Sequence, residues 1–137
     1  MCKKVGTVFI ACSKTKKQYA CKARNMYQGA LFKKALKYAE LTHSSIFILS
    51  AKYGVLSLET IIEPYEKTLS KMNKKEKEIW YNKVKKQMIP LTPPFTFFTG
   101  SLYNQFFKGE KPLQGLSLGK QLQWFNQHLN INRKTLI

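Results

Sequence analysis

Three short runs of apolar residues predict buried β-strands. Residues 5–11 and 46–49 are rich in valine, isoleucine and phenylalanine, and both runs are too short for a core helix. A similar run at residues 95–99 follows a proline-rich segment. Because helical patterns separate the runs, right-handed crossovers between parallel strands are expected.

Apolar residues at helical spacing predict three main helices. The first covers residues 24–41, and the second covers residues 72–89, where Asn73 and Glu76 have the spacing of a capping box. Ser117 can cap the last helix, and a short helix after residue 100 ends at Phe107. The predicted fold class is α/β: a small three-layer sandwich with a mainly parallel central sheet of three to four strands and helices on both faces. The first helix is expected to bury one stripe, made of Tyr27, Leu31, Ala35, Tyr38 and Leu41.

Length and composition predict one domain over residues 1–137. The chain is 44% hydrophobic, which suffices for one core. It lacks the roughly 18 continuous apolar residues of a membrane span and a signal-peptide pattern, so a cytoplasmic protein without a membrane partner is expected. Cys2, Cys12 and Cys21 are odd in number and lack metal-ligand spacing, so neither a disulfide, a metal nor a cofactor is predicted. His43 is expected at the surface, at the end of the sheet opposite the strand-end loops.

The charge is strongly positive. There are 24 basic residues and 7 acidic ones, giving a formal charge of +17, and the acidic residues are all glutamates. This balance suits a polyanion such as nucleic acid, or a phosphate-bearing ligand. A well-solvated surface is the alternative, because 22 of the 24 basic residues are lysine. Sequence-specific base readout is disfavoured, since Arg24 and Arg133 are the only arginines.

Small and polar residues follow each predicted strand. The loop at residues 12–19 contains a thiol, two hydroxyls, three ammonium groups and a phenol, which is the composition of an anion cradle. It lacks the glycines of a P-loop, and an exposed basic turn is the alternative. Because the carboxyl ends of parallel strands share one edge of a sheet, one crevice is expected there. Its expected ligand- or phosphate-binding residues are Ser13, Lys14, Lys17, Tyr19, Lys52, Tyr53, Gly54, Tyr65, Gly100, Ser101 and Tyr103.

Glu63, Cys12 and Ser50 are the expected catalytic residues. Glu63 would act as a general base or would stabilise a cationic sugar, as carboxylates do in glycoside cleavage. A glutamate paired with one of the many lysines is the alternative. Cys12 could be a nucleophile among basic neighbours, or only a small structural residue. Ser50 would orient a base.

The second strand and its loop resemble a known family. Residues 49–69 look like the signature of the YaaA family of peroxide-stress, DNA-binding proteins, in which Leu-Ser-x-x-Tyr-Gly-Leu-Leu precedes Ile-x-Pro-Tyr. The segments ACSKTK, GSLY and LQGLSLGKQLQWF are similar to an uncharacterised family of short bacterial and phage proteins allied to it. The residues that match the YaaA signature are Leu49, Ser50, Tyr53, Gly54, Leu56, Ile62, Pro64 and Tyr65.

A shorter likeness connects residues 12–19 with archaeosine synthase, which modifies a deazaguanine base in transfer RNA. Ala11 and Gln18 stand where its Pro-Cys-x-x-x-Lys-Pro-Tyr motif has prolines. YaaA proteins are longer and carry a DNA-contacting helical motif that has no counterpart placed here. The resemblances imply nucleic acid or nucleobase-like ligands.

The expected function is therefore directed at nucleic acid or nucleotides. The first hypothesis is an enzyme-like crevice that acts on a nucleobase or an N-glycosidic bond, with a glycosylase- or transferase-like activity. The alternative is a non-catalytic protein that binds DNA, RNA or a nucleotide. A phage origin is one form of this hypothesis. A regulator that engages a protein partner through Trp80, Trp124 and the lysine faces has no motif in its favour.

Overall fold

The computed structural model describes residues 3–136 and shows an α/β fold with a four-stranded sheet between helices. A 3₁₀ turn, Leu69–Lys71, precedes the helix that begins at Lys74. In chain order the elements are β1 (Lys4–Ala11), β2 (Cys21–Lys22), α1 (Ala23–Met26), α2 (Ala30–Thr42), β3 (His43–Ser50), β4 (Gly54–Ser57), β5 (Ile61–Ile62), α3 (Lys74–Met88), β6 (Phe95–Phe98), α4 (Ser101–Asn104) and α5 (Leu118–Leu136).

The main sheet is mostly parallel. Its strand order is β4-β3-β1-β6, and β1 lies between β3 and β6 and is parallel to both. The strand β4 returns antiparallel to β3 and forms one edge. The short strands β2 and β5 pair with each other outside this sheet. The prediction of a mainly parallel sheet with three to four strands is confirmed.

Alternating side chains divide the sheet between two cores. Val8 and Ile10 face α2 and α5, whereas Phe9 faces α3 and stacks on Phe97 with ring centroids 5.2 Å apart. Because both faces are covered, every strand of the parallel part is apolar on both sides, which is why its residues form continuous apolar runs. Helices on both faces of the sheet are therefore confirmed.

The helix α3 begins where the sequence predicts. The Asn73 side chain accepts a hydrogen bond from the Glu76 backbone N–H at 2.8 Å, and the Glu76 carboxylate accepts the Asn73 N–H at 3.2 Å. This capping box satisfies two backbone donors that the helix would otherwise leave open. On the inner face, Trp80 is buried and its indole N–H donates to the Ser50 carbonyl at 2.9 Å. The helix thereby contacts the carboxyl end of β3 directly.

The first predicted helix is interrupted. Residues 27–29 are extended, because the backbone N–H of Lys17 donates to the Met26 carbonyl and that of Gln28 donates to the Thr15 carbonyl, at 2.9 and 2.8 Å. The loop after β1 thus pairs with the chain where the helix was expected. The expected stripe is only partly correct, since Leu41 is 38% exposed and Phe32 and Ala39 are buried instead.

Three further expectations need correction. His43 is 4% exposed rather than at the surface, because it is the first residue of β3 and its ring is bonded to the Thr42 hydroxyl. Trp80 is 4% exposed and is not available to a protein partner. The short helix after β6 ends at Asn104 rather than at Phe107.

Two other features bear on the earlier expectations. In the described part of the chain, no helix combines the length and apolar character needed to cross a membrane. Among residues 3–136, no group of three or more histidine, cysteine, aspartate or glutamate side chains is placed to hold a metal ion. Cys12 and Cys21 are free thiols, and Cys2 lies outside the described residues.

Candidate functional site

The crevice lies at the carboxyl ends of β1, β3 and β6. The helix α2 connects β1 to β3 on one face of the sheet, and α3 leads to β6 on the other side of β1. The first crossover runs from β1 to β3, and the second runs from the β3–β4 side back past β1 to β6, so the direction of the connections reverses between β1 and β6. The carboxyl end of β1 therefore lies at the topological switch point of the sheet. Open α/β sheets bind ligands at such points, outside the strand ends.

Two cavities meet at this strand end, and both are lined by Cys12, Ser13 and Lys14. The larger cavity, of about 360 Å³, lies between the ends of β1 and β6 and the first turns of α2 and α5. Its wall is mainly apolar and includes Phe32 and Phe98. The smaller cavity, of about 130 Å³, is lined on its far side by residues 67–70 and by Tyr103.

The smaller cavity is cationic. Lys14, Lys16 and Lys67 line it together with hydroxyl groups, and no described residue of its wall is acidic. The Lys16 ammonium also lies over the Tyr65 ring, 4.6 Å from the ring centroid, which is a cation–π distance. The hydroxyl side chains in the wall are Ser13, Thr68, Ser70 and Tyr103.

A chain of three hydroxyl groups lies beside the cavities. The Ser50 hydroxyl is 2.7 Å from that of Tyr65, which is 2.6 Å from that of Tyr27. Ser50 also accepts the backbone N–H groups of Lys52 and Tyr53, at 3.2 and 3.0 Å. These two bonds use both acceptor positions of the Ser50 oxygen, so its proton is donated to Tyr65. Tyr65 thereby accepts from Ser50 and is also hydrogen-bonded to Tyr27, which makes it the central member of the chain.

Burial keeps these phenols protonated. Desolvation raises the pKa of Tyr27 to about 12. Desolvation also raises the pKa of Tyr65, and the neighbouring Cys12 and Tyr27 raise it further. At neutral pH the hydroxyl chain is therefore a set of neutral donors and acceptors, not a source of charge.

The Cys12 thiol is held at the junction of the two cavities. Its backbone N–H donates to the Leu49 carbonyl at 3.0 Å, which places it beside the end of β3. Its sulfur is 3.4 Å from the Tyr103 hydroxyl. The pKa of Tyr103 is raised by desolvation and by Cys12. The thiol is half-buried rather than enclosed in the core.

The structure brings together only some of the expected residues. Cys12, Ser13, Lys14 and Tyr103 line the smaller cavity, and Gly100 lines the larger one. Ser50, Tyr53 and Tyr65 form the adjoining cluster, in which the rings of Tyr53 and Tyr65 are 5.7 Å apart. Lys52 lies at its edge, with its ammonium 5.2 Å from the Tyr53 ring centroid.

Five expected residues have other surroundings. Glu63 and Ser101 are exposed and line neither cavity, and the Glu63 carboxylate takes part in none of the ion pairs among the side chains of residues 3–130. Lys17 instead bonds Tyr19, which raises the Lys17 pKa. Gly54 has a φ of +74° and faces the Gln87 side chain, so its role there is conformational.

Sequence reasoning missed Tyr27, Lys16 and Lys67. Tyr27 was assigned to a helix stripe, although the glycine two residues later is a signal that the helix is broken there. Lys16 lies in the loop that is expected to bind anions, but loop composition alone does not distinguish it from Lys14 and Lys17, which are the expected ligands. Lys67 reaches the cavity only because the chain folds back over residues 63–70, and no local pattern indicates this.

The comparisons with known proteins give a family and no function. Residues 7–127 match a model described as a family of unknown function, DUF6884. The match covers most of the chain, including the whole crevice and every strand except the first three residues of β1. No curated protein and no solved structure matches.

Proposed function

We propose that this chain, a member of the DUF6884 family, binds a nucleotide in the crevice. The ligand is a free nucleotide or the end of a nucleic-acid strand, with its phosphate in the smaller cavity and its base in the larger one. The observation that carries the proposal is the shared wall at Cys12, Ser13 and Lys14, which separates a cationic cavity from an apolar one. A nucleotide likewise combines an anionic phosphate group with a largely apolar base.

The sizes of the cavities support this assignment. The smaller one, about 130 Å³, has the volume of about four water molecules, which is room for a phosphate group. The larger one, about 360 Å³, is within the range of about 300–1,000 Å³ for small-ligand sites. Its aromatic wall suits the face of a base. Three lysines and several hydroxyls supply donors to phosphate without any opposing carboxylate.

The resemblances to the YaaA signature and to the archaeosine synthase motif support a nucleic-acid source for the ligand. We propose that residues 49–69, which resemble the signature of the DNA-binding YaaA family, and the loop at 12–19, which resembles the archaeosine synthase motif, belong to a related nucleobase-binding site. Both segments lie in or beside the crevice. The signature serine and tyrosine are Ser50 and Tyr65, which form the hydroxyl chain.

A catalytic role is the second candidate, and the Cys12–Tyr103 contact favours it. A half-buried thiol that is hydrogen-bonded to a phenol, in a cavity wall that also contains three lysines, has the surroundings of a nucleophile. Glu63 would take part only if the ligand extended beyond both cavities, because it lines neither of them. Binding therefore has stronger support than turnover.

The test is a titration of the protein with a panel of nucleoside monophosphates and a dinucleotide, read by calorimetry. Lys14→Ala/Lys16→Ala should weaken binding by at least about tenfold, which corresponds to about 1.4 kcal/mol. Lys74→Ala/Lys75→Ala removes the same charge from exposed positions on α3 and is the matched control. Equal affinities for the two double variants, or no binding by wild type, would refute the proposal.

Turnover is tested on the same mixtures. Mass spectrometry would detect base release or a covalent adduct in wild type, and Cys12→Ser and Glu63→Gln would assign it. Loss of product with Cys12→Ser alone would establish the second candidate. Loss with Glu63→Gln would show that the carboxylate reaches the ligand after all.

A further inference from the structure

A groove on the α3 side of the sheet is separate from the crevice. It has a volume of about 930 Å³ and lies between the second half of α3, the amino end of β6 and residues 106–108. None of its lining residues belongs to either crevice cavity. It is open to solvent along one side. A ligand there would not contact the proposed nucleotide site.

The floor of the groove is apolar and rigid. Tyr81 stacks on Phe106 with ring centroids 5.5 Å apart, and Phe107 stacks on Phe97 of the core at 5.0 Å. Aromatic groups that are fixed in this way provide contact area with little loss of side-chain entropy. The remaining apolar lining includes Met88 and Phe95.

The rim of the groove is cationic. Lys85, Lys86 and Lys108 line it, and the Lys85 ammonium lies 5.0 Å from the centroid of the Tyr81 ring. Of the described residues in its wall, none is acidic. Among the side chains of residues 3–130, Lys22 and Arg24 are the only basic residues in ion pairs, so no described carboxylate oxygen lies within 4.0 Å of these three ammonium groups.

We propose that this groove binds an amphipathic helix of a partner protein, with apolar residues on the aromatic floor and carboxylates against the three lysines. Charge disfavours a second copy of this chain, because its formal charge is +17 and the groove rim is itself cationic. The open side argues against a small amphiphile, since small-molecule sites bury most of their ligand. A helix buries only its apolar face in such a groove and leaves its polar face in water.

The probe is a fluorescein-labelled designed peptide of about 16 residues, with leucine and phenylalanine at helical spacing and glutamate on the flanks. One control peptide carries lysine in place of glutamate. Another has the same composition with the apolar spacing scrambled. Binding is measured by fluorescence anisotropy, and the binding surface is located by methyl NMR of Met88, Ile89 and Leu91.

The acidic amphipathic peptide should bind at least about tenfold more tightly than either control peptide. Lys85→Glu/Lys86→Glu should weaken it by at least about tenfold, whereas Lys74→Glu/Lys75→Glu, with the same change in charge on the same helix, should alter the affinity by less than about twofold. All four lysines are exposed, so neither variant disturbs the core.

Several results would overturn the proposal. Equal binding of the scrambled peptide, or equal losses in the two charge-reversed variants, would mean general electrostatic attraction. Methyl shifts outside the groove, or no binding up to about 1 mM, would remove the site. Stronger groove shifts with dodecanoate, or dimerisation in sedimentation experiments that Lys85→Glu/Lys86→Glu alters, would give it a different occupant. Nucleotide affinity is not involved in any of these results.

Discussion

The hydroxyl chain of Ser50, Tyr65 and Tyr27 depends most on its central residue. Tyr65 is bonded to both other hydroxyls, at 2.7 and 2.6 Å, whereas Tyr27 has a described bond only to Tyr65. Tyr65→Phe would keep the ring but leave two buried hydroxyls short of a partner. We expect it to lower the free energy of unfolding by about 1–3 kcal/mol, and Tyr27→Phe by about 1 kcal/mol.

Urea denaturation of the two variants measures this difference. The control is Tyr19→Phe, because Tyr19 is 60% exposed and its loss of a hydroxyl should change stability by less than about 0.5 kcal/mol. If Tyr27→Phe costs as much as Tyr65→Phe, the chain does not depend most on its central residue.

The same phenols predict how stability changes at high pH. An unfolded tyrosine has a pKa of about 10, and burial raises the pKa of Tyr27 to about 12 in the folded protein. Between these values the unfolded state has lost the proton and the folded state keeps it. The stabilising contribution is thus complete below the unfolded pKa and is lost as the pH rises through the folded one.

We therefore expect the free energy of unfolding to fall between about pH 10 and pH 12, and less steeply in Tyr27→Phe. Phenolate absorbance should show a group of tyrosines that titrates late, including Tyr65 and Tyr103, whose pKa values burial also raises. Lysines lose charge in the same range, so the comparison with the variant isolates the tyrosine effect. Identical pH slopes for wild type and variant would contradict it.

At the scale of elements, the turn from β3 into β4 depends on Gly54. Its φ is +74°, and an added Cβ would collide with the Gln87 side chain. Gln87 is itself committed, because it accepts the Val55 N–H at 2.8 Å and donates to the Tyr53 carbonyl at 3.2 Å. Gly54→Ala should therefore incur both a backbone cost of about 1–2 kcal/mol and a steric one.

Gly115 offers the matched control. It has a similar φ of +80°, but an added Cβ there meets nothing within 4 Å. Thermal or urea unfolding of Gly115→Ala should show the backbone cost alone, and Gly54→Ala should show a larger loss. Equal losses would mean that Gln87 moves aside freely and does not fix the turn next to Ser50.

The elements also show how far the sequence could lead. Continuous apolar runs identified β1, β3 and β6, because strands covered on both faces have such runs. Asn73 and Glu76 located the start of α3, since a capping box is a local interaction. The break before Gly29 could not be predicted in the same way, because it results from bonds to residues 15–17. The strand β4 pairs only because of the turn at Gly54.

In the candidate site too, features that depend on local composition could be predicted, and features that depend on the path of the chain could not. Loop composition predicts an anion-binding role for Ser13 and Lys14, and the structure places both residues in the walls of the two cavities. The placement of Glu63 depends on the path of residues 63–70 across the surface, and local pattern carries no information about that path. The position of Tyr27 in the hydroxyl chain could not be predicted, because a buried aromatic residue at helical spacing is typical of a core.

At the scale of the whole molecule, a formal charge of +17 should produce polyanion binding that is distinct from the crevice. Seven lysines lie between Lys71 and Lys86, mostly on the exposed side of α3. Among the described side chains, two glutamates form ion pairs and a third caps α3. Counterion release makes such binding depend strongly on salt, whatever the sequence of the nucleic acid.

We expect single-stranded oligothymidylate to bind with an affinity that falls steeply as salt rises. Each lysine that loses a phosphate contact should reduce the log–log slope by about 0.7. Lys74→Ala/Lys75→Ala and Lys14→Ala/Lys16→Ala should then lower that slope by similar amounts, whereas only the second pair should weaken a nucleoside monophosphate. Fluorescence anisotropy across a salt series measures both effects. An oligonucleotide slope that the α3 variant leaves unchanged would show that the exposed lysines only solvate the surface, and that the crevice alone accounts for the affinity.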